Sequence, residues 1–330
     1  MTQLRRDPVV GRWVITEDEN PRTPADFHVE PHSYEEIAHC PFCSGNERLT
    51  PPEIYARRPN GSAPNTPGWQ VRVVPNRFPA LQIEGTIDRS AVGLYDRTNG
   101  IGAHELIIET PEHNKDLPDL PYDHVRAVLE TYIQRSVDLQ KDKRFKYLML
   151  FKNYGLPAGA TMDHNHAQLI ALPMIPKNVL EELEGSAAYY DYRERCIFCD
   201  ILRQEVEEKE RILEENDAFT AFCPFVSRFP FEIWIVPKEH RLFFCQTAPE
   251  DLDALARILK DTLTRMRRTL NDPAYNFIIH TGPNDGQEHP GYHWHLEIMP
   301  RISRIAGLEW GTGLYVVPTS PETAARYLKK

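Results

Sequence analysis

Two stretches of this chain pass the same landmarks in the same order, and that repetition restricts the available folds more than any other feature. The first stretch contains CPFC at 40–43, NRFPAL at 76–81, HELIIETPEH at 104–113 and HNHAQLIALP at 164–173. The second contains CIFC at 196–199, SRFPFEIWIVPKEH at 227–240 and HWHLEIMP at 293–300. HELIIETPEH and FEIWIVPKEH both close an apolar run with Glu-His. The interval from that histidine to the HxH pair is nearly the same in each, His113 to His164 and His240 to His293. Ordered self-similarity over several motifs is the signature of a duplicated unit. The expectation is two halves, 1–185 and 186–330, joined near 186–195.

Local patterns say what each half contains. HELIIE and FEIWIV are short and rich in branched apolar residues, which reads as strand. Tyr147–Lys152, Leu169–Leu172, Tyr275–Ile279 and Leu296–Met299 read the same way. Asp123 is placed to cap a helix whose apolar side carries Val125, Val128, Leu129, Tyr132, Ile133 and Val137. A second helix spans about 249–270, with Leu252, Leu255, Leu259, Leu263 and Met266 on one side. Residues 51–68, rich in Pro, Asn and Gly, read as a loop. The fold class is α+β, two tandem duplicated halves with mainly antiparallel sheet and helices packed on it.

The net charge of −10 argues against a broad nucleic-acid surface, while leaving room for a phosphorylated small molecule held by a few local donors. No apolar run approaches the span of a bilayer, so no membrane partner is expected. The stretch TQLRRDPVVGRW has no apolar segment of the signal-peptide kind, which makes a cytoplasmic location the expectation.

In a reducing compartment, paired CxxC motifs read as metal sites or redox dithiols rather than structural disulfides. No βαβ pattern surrounds either motif, which weakens the redox reading. Zinc favours tetrahedral sets of cysteine and histidine, and CxxC delivers two sulfurs from one tight turn. The repeat groups Cys40, Cys43, His113 and His164 in the first half and Cys196, Cys199, His240 and His293 in the second, as two structural Zn2+ sites. The competing reading makes the cysteines small buried hydrophobes and the histidines core residues. Cys223 and Cys245 stand alone and read as core.

In an extended chain, residues two apart point the same way. His164, His166 and Gln168 therefore form a polar row at the head of an apolar strand. With His164 on a metal, His166 stays free, and a neutral imidazole is a good nucleophile. Attack on an electrophilic phosphorus would give a phosphoramidate and split one transfer into two steps. Gln168 can offer its NH2 to a nonbridging phosphoryl oxygen but cannot supply a proton. That suits transfer between phosphates better than hydrolysis. The second half has HWHLE instead, where the Glu297 carboxylate would repel a phosphate. The active copy is therefore expected in the first half, with His295 a core or interface residue.

HNHAQ together with CPFC, TPEHNKDLP and FKNYG resembles the galactose-1-phosphate uridylyltransferase family, within the histidine triad superfamily, and its ADP-glucose phosphorylase-like relatives. RRDPVVGRWVI followed by NPR, PFEIWIVPKEH and GLEWGTG extend the resemblance over nearly the whole chain. It implies two histidine-triad-like halves and a ping-pong reaction in which a nucleotide sugar loses its sugar phosphate to a histidine, and a second sugar 1-phosphate takes the nucleotidyl group. By matching motifs, His166 is the nucleophile and Gln168 its phosphoryl contact. Asn153, Gly159 and Thr161 would hold phosphates, Asn76 and Arg77 the nucleoside, and Arg22 a phosphate. Glu309 answers to the segment that contacts the sugar. The resemblance also implies a homodimer with active sites near the subunit interface. Asn165 stands where many uridylyltransferases have proline. The second metal set uses CxxC where some members use a glutamate and histidines, a form shared with relatives acting on ADP-glucose. The function expected is transfer of UMP between UDP-glucose and galactose 1-phosphate. The rival is an ADP-sugar or dinucleoside polyphosphate phosphorylase or adenylyltransferase using the same histidine. A hydrolase of nucleotide conjugates and a non-enzymatic zinc-stabilised binding module are the other classes.

Overall fold

A computed structural model describes residues 2–32, 34 and 39–330; Met1, where the first half begins, lies outside them. The first half supplies β1 (Thr2–Arg6), β2 (Trp13–Glu17), β3 (Tyr55–Arg57), β4 (Val71–Pro75), β5 (Arg89–Val92), β6 (Tyr95–Thr98), β7 (Ala103–Ile108), α1 (Tyr122–Leu139), β8 (Tyr147–Tyr154) and β9 (His166–Leu172). Next come α2 (Lys177–Arg193), α3 (Ile197–Glu208), β10 (Ile212–Glu215), β11 (Phe219–Phe222), β12 (Ile233–Pro237) and α4 (Leu252–Leu270). The chain ends with β13 (Tyr275–His280), β14 (His295–Pro300), α5 (Gly307–Thr312), β15 (Tyr315–Val317) and α6 (Pro321–Leu328).

Ten strands form one sheet in the order β10-β11-β12-β14-β13-β8-β9-β7-β4-β3. Read outward from the centre, β8, β9, β7, β4 and β3 of one half answer to β13, β14, β12, β11 and β10 of the other. The innermost pair, β8 and β13, is antiparallel from Tyr154↔Tyr275 to Leu150↔Ile279 and fuses the two sets into a continuous sheet. The sequence repeat thus becomes a two-fold relation between strand sets, within the expected α+β class.

Helices α1 and α4 pack together over one face. Val125, Val128, Leu129 and Tyr132 recur at helical spacing in α1 and are all buried, as are Leu252, Leu255, Leu259, Leu263 and Met266 in α4. Two local expectations shift. Asp123 lies inside the first turn of α1, with Pro121 at the cap; Pro121 has no N–H to satisfy and a φ of −58° ready for helix entry. Val137 sits 43% exposed, off the buried stripe that continues through Ser136 to Leu139.

The stretch 186–195, where the halves are expected to join, is mostly helix. In α2, Val179, Leu183 and Ser186 are buried at helical spacing, and the helix stops at Glu194 in the left-handed region with φ 55°. Within 51–68, β3 adds an edge strand to β4. Cys223 is buried in the main core, whereas Cys245 is only half-buried, its Sγ 3.4 Å from Gln140 Oε1. Outside the large sheet, β15 joins the N-terminal pair β1–β2 in parallel to β2. Among the described residues, no helix is long and apolar enough to cross a membrane.

Candidate active site and metal clusters

Strand β9 starts at His166, held between β7 and β8. Ile108 faces His166, and Gln168 lies between Leu106 and Phe151. Directly opposed residues share a face of the sheet, so His166, Gln168 and their neighbours look the same way, opposite to the face covered by α1 and α4. Phe42, inside the CPFC turn, sets its ring 5.2 Å from that of His166.

His166 is 6% exposed. Its Nδ1 lies 2.9 Å from the carbonyl oxygen of His164, which can only accept, so Nδ1 carries the proton and Nε2 the lone pair. Burial pushes its pKa down to about 4, which leaves the ring uncharged at neutral pH. A fixed tautomer with a bare Nε2 is what a nitrogen nucleophile requires.

Gln168 Oε1 lies 2.9 Å from His104 Nε2. His104 heads β7, and its Nδ1 is met by the Ala80 N–H at 3.2 Å and by Asn76 Nδ2 at 3.4 Å, with Asn76 Nδ2 also 3.2 Å from Nε2. Asn76 Oδ1 accepts the Phe78 N–H at 2.9 Å. Asn153 follows Lys152, which pairs with Ala167, so the register carries it to the level of His166. Asn153 Oδ1 accepts from Asn276 Nδ2 at 2.8 Å, across the seam between the halves. Gly159 adopts φ +87°, a left-handed value that a side chain would strain, and brings its carbonyl 3.5 Å from Asn153 Nδ2.

The remaining sequence-derived positions are less enclosed. Thr161 is exposed in the same loop. Arg77 is exposed, its guanidinium 5.8 Å over the Phe78 ring. Arg22 is exposed and tied by its backbone to the C-terminal segment, its N–H donating to Pro318 O at 2.7 Å. Glu309, on α5, accepts the Ala306 N–H at 2.9 Å. His104 and Asn276 escaped the sequence reading. His104 carried a usable signal, being of the same strand parity as Leu106 and Ile108; Asn276 carried none, because its partner lies in the other half.

Two Cys/His groups gather as the motifs group them. The ligand atoms of Cys40, Cys43, His113 and His164 lie within 4.8 Å of one another, and so do those of Cys196, Cys199, His240 and His293. In the first, sulfur-to-Nδ1 distances are 3.6 Å for Cys40–His164 and 3.5 Å for both Cys43–His113 and Cys43–His164. In the second, Cys199 lies 3.5 Å from His240 Nδ1 and 3.4 Å from His293 Nδ1. His164 Nε2 donates to Thr110 O at 2.8 Å, which leaves Nδ1 bare toward the sulfurs.

The second half holds a counterpart of the His166 face, and it is chemically different. Glu297 lies between Trp234 and Ile278, as Gln168 lies between Leu106 and Phe151. Two residues along each neighbour, His280 answers to Asn153 and Glu232 to His104. A cavity of about 320 Å³ lies here, lined by these residues together with Glu182, Arg228 and His295. Arg228 bonds to Glu297, and His280 lies 3.1 Å from Glu182 and 3.3 Å from Glu297. Burial opposes charge on His280, but the two carboxylates override it and lift its pKa to about 10. Glu182, His280 and His295 are spaced as a possible ligand group, yet Arg228 and protonated His280 already serve as its cations. His295 keeps the tautomer of His166, with Nδ1 3.1 Å from His293 O, but Trp234 and His280 stack on its ring at 4.8 and 4.7 Å. Carboxylates thus stand here at the positions that Gln168 and His104 hold in the first half.

A family model described as galactose-1-phosphate uridyl transferase, N-terminal domain, matches residues 1–176, and one for a domain of unknown function, DUF4921, matches 117–329. The chain is 34% identical to an ADP-glucose phosphorylase of Arabidopsis thaliana, over 99% of this chain and 92% of the relative. It is 27% identical to a galactose-1-phosphate uridylyltransferase of Thermotoga maritima, over 100% and 98%. The crystal structure of an Arabidopsis thaliana ADP-glucose phosphorylase with bound ADP-glucose superposes with a TM-score of 0.83 at 33% identity, over 100% of this chain and 99% of that one. A uridylyltransferase structure gives 0.76 at 29% identity, over 100% and 97%.

Proposed function

The chain belongs to the galactose-1-phosphate uridylyltransferase family, and from that premise we propose that it moves UMP from UDP-glucose to galactose 1-phosphate through a nucleotidyl intermediate on His166. It is a nucleotidyltransferase of the hexose-1-phosphate uridylyltransferase type. The observation that carries the reading is the His166 ring: uncharged, with its proton pinned on Nδ1 and Nε2 bare beside two side-chain amides.

In the first step, Nε2 bonds to the α-phosphorus of UDP-glucose, the bond to the bridging oxygen breaks, and glucose 1-phosphate leaves. A phosphate oxygen of galactose 1-phosphate then attacks the same phosphorus, UDP-galactose forms, and the electron pair returns to Nε2. No proton has to be supplied to either leaving group, which accords with a glutamine at 168. Gln168 and Asn153 would offer N–H groups to phosphoryl oxygens, aided by the Gly159–Thr161 turn, with Asn76 and Arg77 toward the nucleoside and Arg22 toward phosphate. Glu309, with its sugar role, would be met in a homodimer, and a cytoplasmic location belongs to the same reading.

Zinc suits both Cys/His groups. Around a tetrahedral zinc with bonds of about 2.3 Å to sulfur and 2.0–2.1 Å to nitrogen, sulfur and nitrogen stand roughly 3.5 Å apart, which is the spacing at both clusters. Burial, with Cys40 alongside, pushes the Cys43 thiol up to about 12, so a thiolate there calls for a cation. The metal would be structural: it would hold His164, whose carbonyl fixes His166, and no step of the transfer runs through it.

A second reading has a specific observation behind it. The ADP-glucose phosphorylase relative is 34% identical, against 27% for the Thermotoga maritima uridylyltransferase. In that reading His166 takes AMP from an ADP-sugar and inorganic phosphate accepts it. Intact-protein mass spectrometry after incubation with UDP-glucose or ADP-glucose, without acceptor, separates the two. A uridylyl adduct absent from His166→Ala is expected; an adenylyl adduct alone moves the assignment to the phosphorylase reading. No adduct with either donor counts against nucleotidyl transfer through His166.

A further inference from the structure

We infer that His104 and Asn276 are positioning residues that set the polarity of the two phosphate-facing amides, turning the NH2 of both Gln168 and Asn153 into the site. The inference rests on the nucleotidyl-transfer reading of His166. A side-chain amide is ambivalent: one edge donates, the other accepts, and a half-turn about the last bond converts a phosphate-binding group into a phosphate-repelling one. A backbone group has no such freedom. Each amide here is connected by one intermediate side chain to a backbone group.

The first relay begins at the Ala80 N–H, which can only donate. It meets His104 Nδ1 at 3.2 Å, so the ring proton must sit on Nε2. Nε2–H then donates to Gln168 at 2.9 Å, and the accepting atom has to be Oε1. The Gln168 NH2 is left to face the pocket. The second relay begins at the Ala158 carbonyl, which can only accept. It takes a hydrogen bond from Asn276 at 2.8 Å, so the Asn276 NH2 points that way. The same NH2 reaches Asn153 at 2.8 Å, which makes Oδ1 the acceptor and turns the Asn153 NH2 away from the seam. Among the described residues its other hydrogen bond, to Gly159 O at 3.5 Å, is long and yields easily to a phosphate oxygen.

The result is a pair of uncharged donors of fixed orientation beside an uncharged nucleophile. Preorganised dipoles stabilise charge that develops in a transition state without reorganising during the reaction. At the second-half counterpart, Glu232, His280 and Glu297 occupy the positions of His104, Asn153 and Gln168, so neither position that faces the site there carries an amide to orient.

The test follows the rate of adduct formation on His166 by rapid quench and mass spectrometry, with kcat and KM for the full reaction and thermal unfolding alongside. His104→Met keeps the bulk and removes the donor; His104→Gln keeps a donor and an acceptor. Losing one oriented donor costs about 10²–10³-fold in kcat at the extreme, so a loosened one should cost about tenfold or more. The expectation is that His104→Met slows adduct formation by that margin with KM little changed, that His104→Gln recovers most of it, and that both unfold at the same temperature. Asn276→Leu should lower the rate independently, so the double variant with His104→Met shows the product of the two losses. Wild-type rates in His104→Met, or equal losses in the Met and Gln variants, overturn the positioning role while leaving His166 as nucleophile. No adduct in the wild type with either donor overturns the underlying reading and this inference together.

Discussion

Replacing Lys152 with methionine should destabilise the protein and do so more at high pH than at low. Lys152 is fully buried, with Nζ against Glu109 and 2.7 Å from Asp116 Oδ1. Tyr132 donates to Glu109, Tyr275 donates to Asp116 at 2.7 Å, and Arg267 stands 3.6 Å from Asp116. Methionine matches the length of lysine but leaves two buried carboxylates sharing one distant guanidinium. Removing one partner of a buried pair costs about 3–5 kcal/mol. With an unfolding entropy near 2.1 cal/mol/K per residue, that is a fall in Tm of roughly 4–7 °C for a chain of this length. The pH signature follows from Glu109. Burial already raises its pKa against the pull of Lys152, and losing that pull raises it further. The folded variant then holds a proton that the unfolded chain releases, so its stability falls as pH climbs above the ordinary value of 4.5. Denaturant unfolding of both proteins from pH 5 to 8 measures the gap, which should widen with pH, and adding Glu109→Gln should close part of it. The consequence reaches the site, because residues 109–116 carry His113 and the Thr110 carbonyl that orients His164. A loss below about 1 kcal/mol at pH 8, with no widening, would refute the argument.

Three further outcomes are expected. Asn165→Ala removes donors to Tyr34 OH at 3.0 Å and Lys115 O at 2.8 Å, costing roughly 1–3 kcal/mol and speeding metal loss from the adjacent His164; unchanged chelation kinetics would count against the second part. Elemental analysis should find two zinc per chain, and Cys40→Ser with Cys43→Ser should retain one; a variant that still holds two would sink the ligand assignment. For His280, the folded pKa of about 10 lies above its ordinary 6.5, so its stabilisation is whole below 6.5 and is lost as pH rises through 10. The stability advantage of wild type over His280→Gln should therefore shrink between those limits, and an advantage constant in pH would contradict the protonated state.

Much of the site is legible from spacing because strand geometry is local. HNHAQ places His166 and Gln168 on one face of β9 whatever the strand packs against, while His164 falls in the bend just before the strand rather than in the expected row of three, and CxxC brings two sulfurs together wherever its turn lies. Helix boundaries were harder to read. Pro121, not Asp123, starts α1, since proline's fixed φ suits the entry and Asp123 can sit one position inside. The stretch 186–195 hid a helix, because the buried stripe of α2 that holds it in place begins upstream at Val179.

The sequence alone determined the duplication, six strands of the large sheet, the two long helices packed on it and the two CxxC–His–HxH groupings, and it singled out His166 as the candidate nucleophile, all from residue order and spacing. Tertiary structure decided that the halves share one sheet, because β8 and β13 find each other across more than a hundred residues of chain. It decided the direction in which the amides of Gln168 and Asn153 donate, since that depends on Ala80, His104, Ala158 and Asn276 arriving from separate strands and turns. It also decided that the second copy neutralises its own carboxylates, through Arg228 and His280. A hydrogen bond or an ion pair is fixed by proximity in space, and a linear sequence specifies that proximity only through the whole fold.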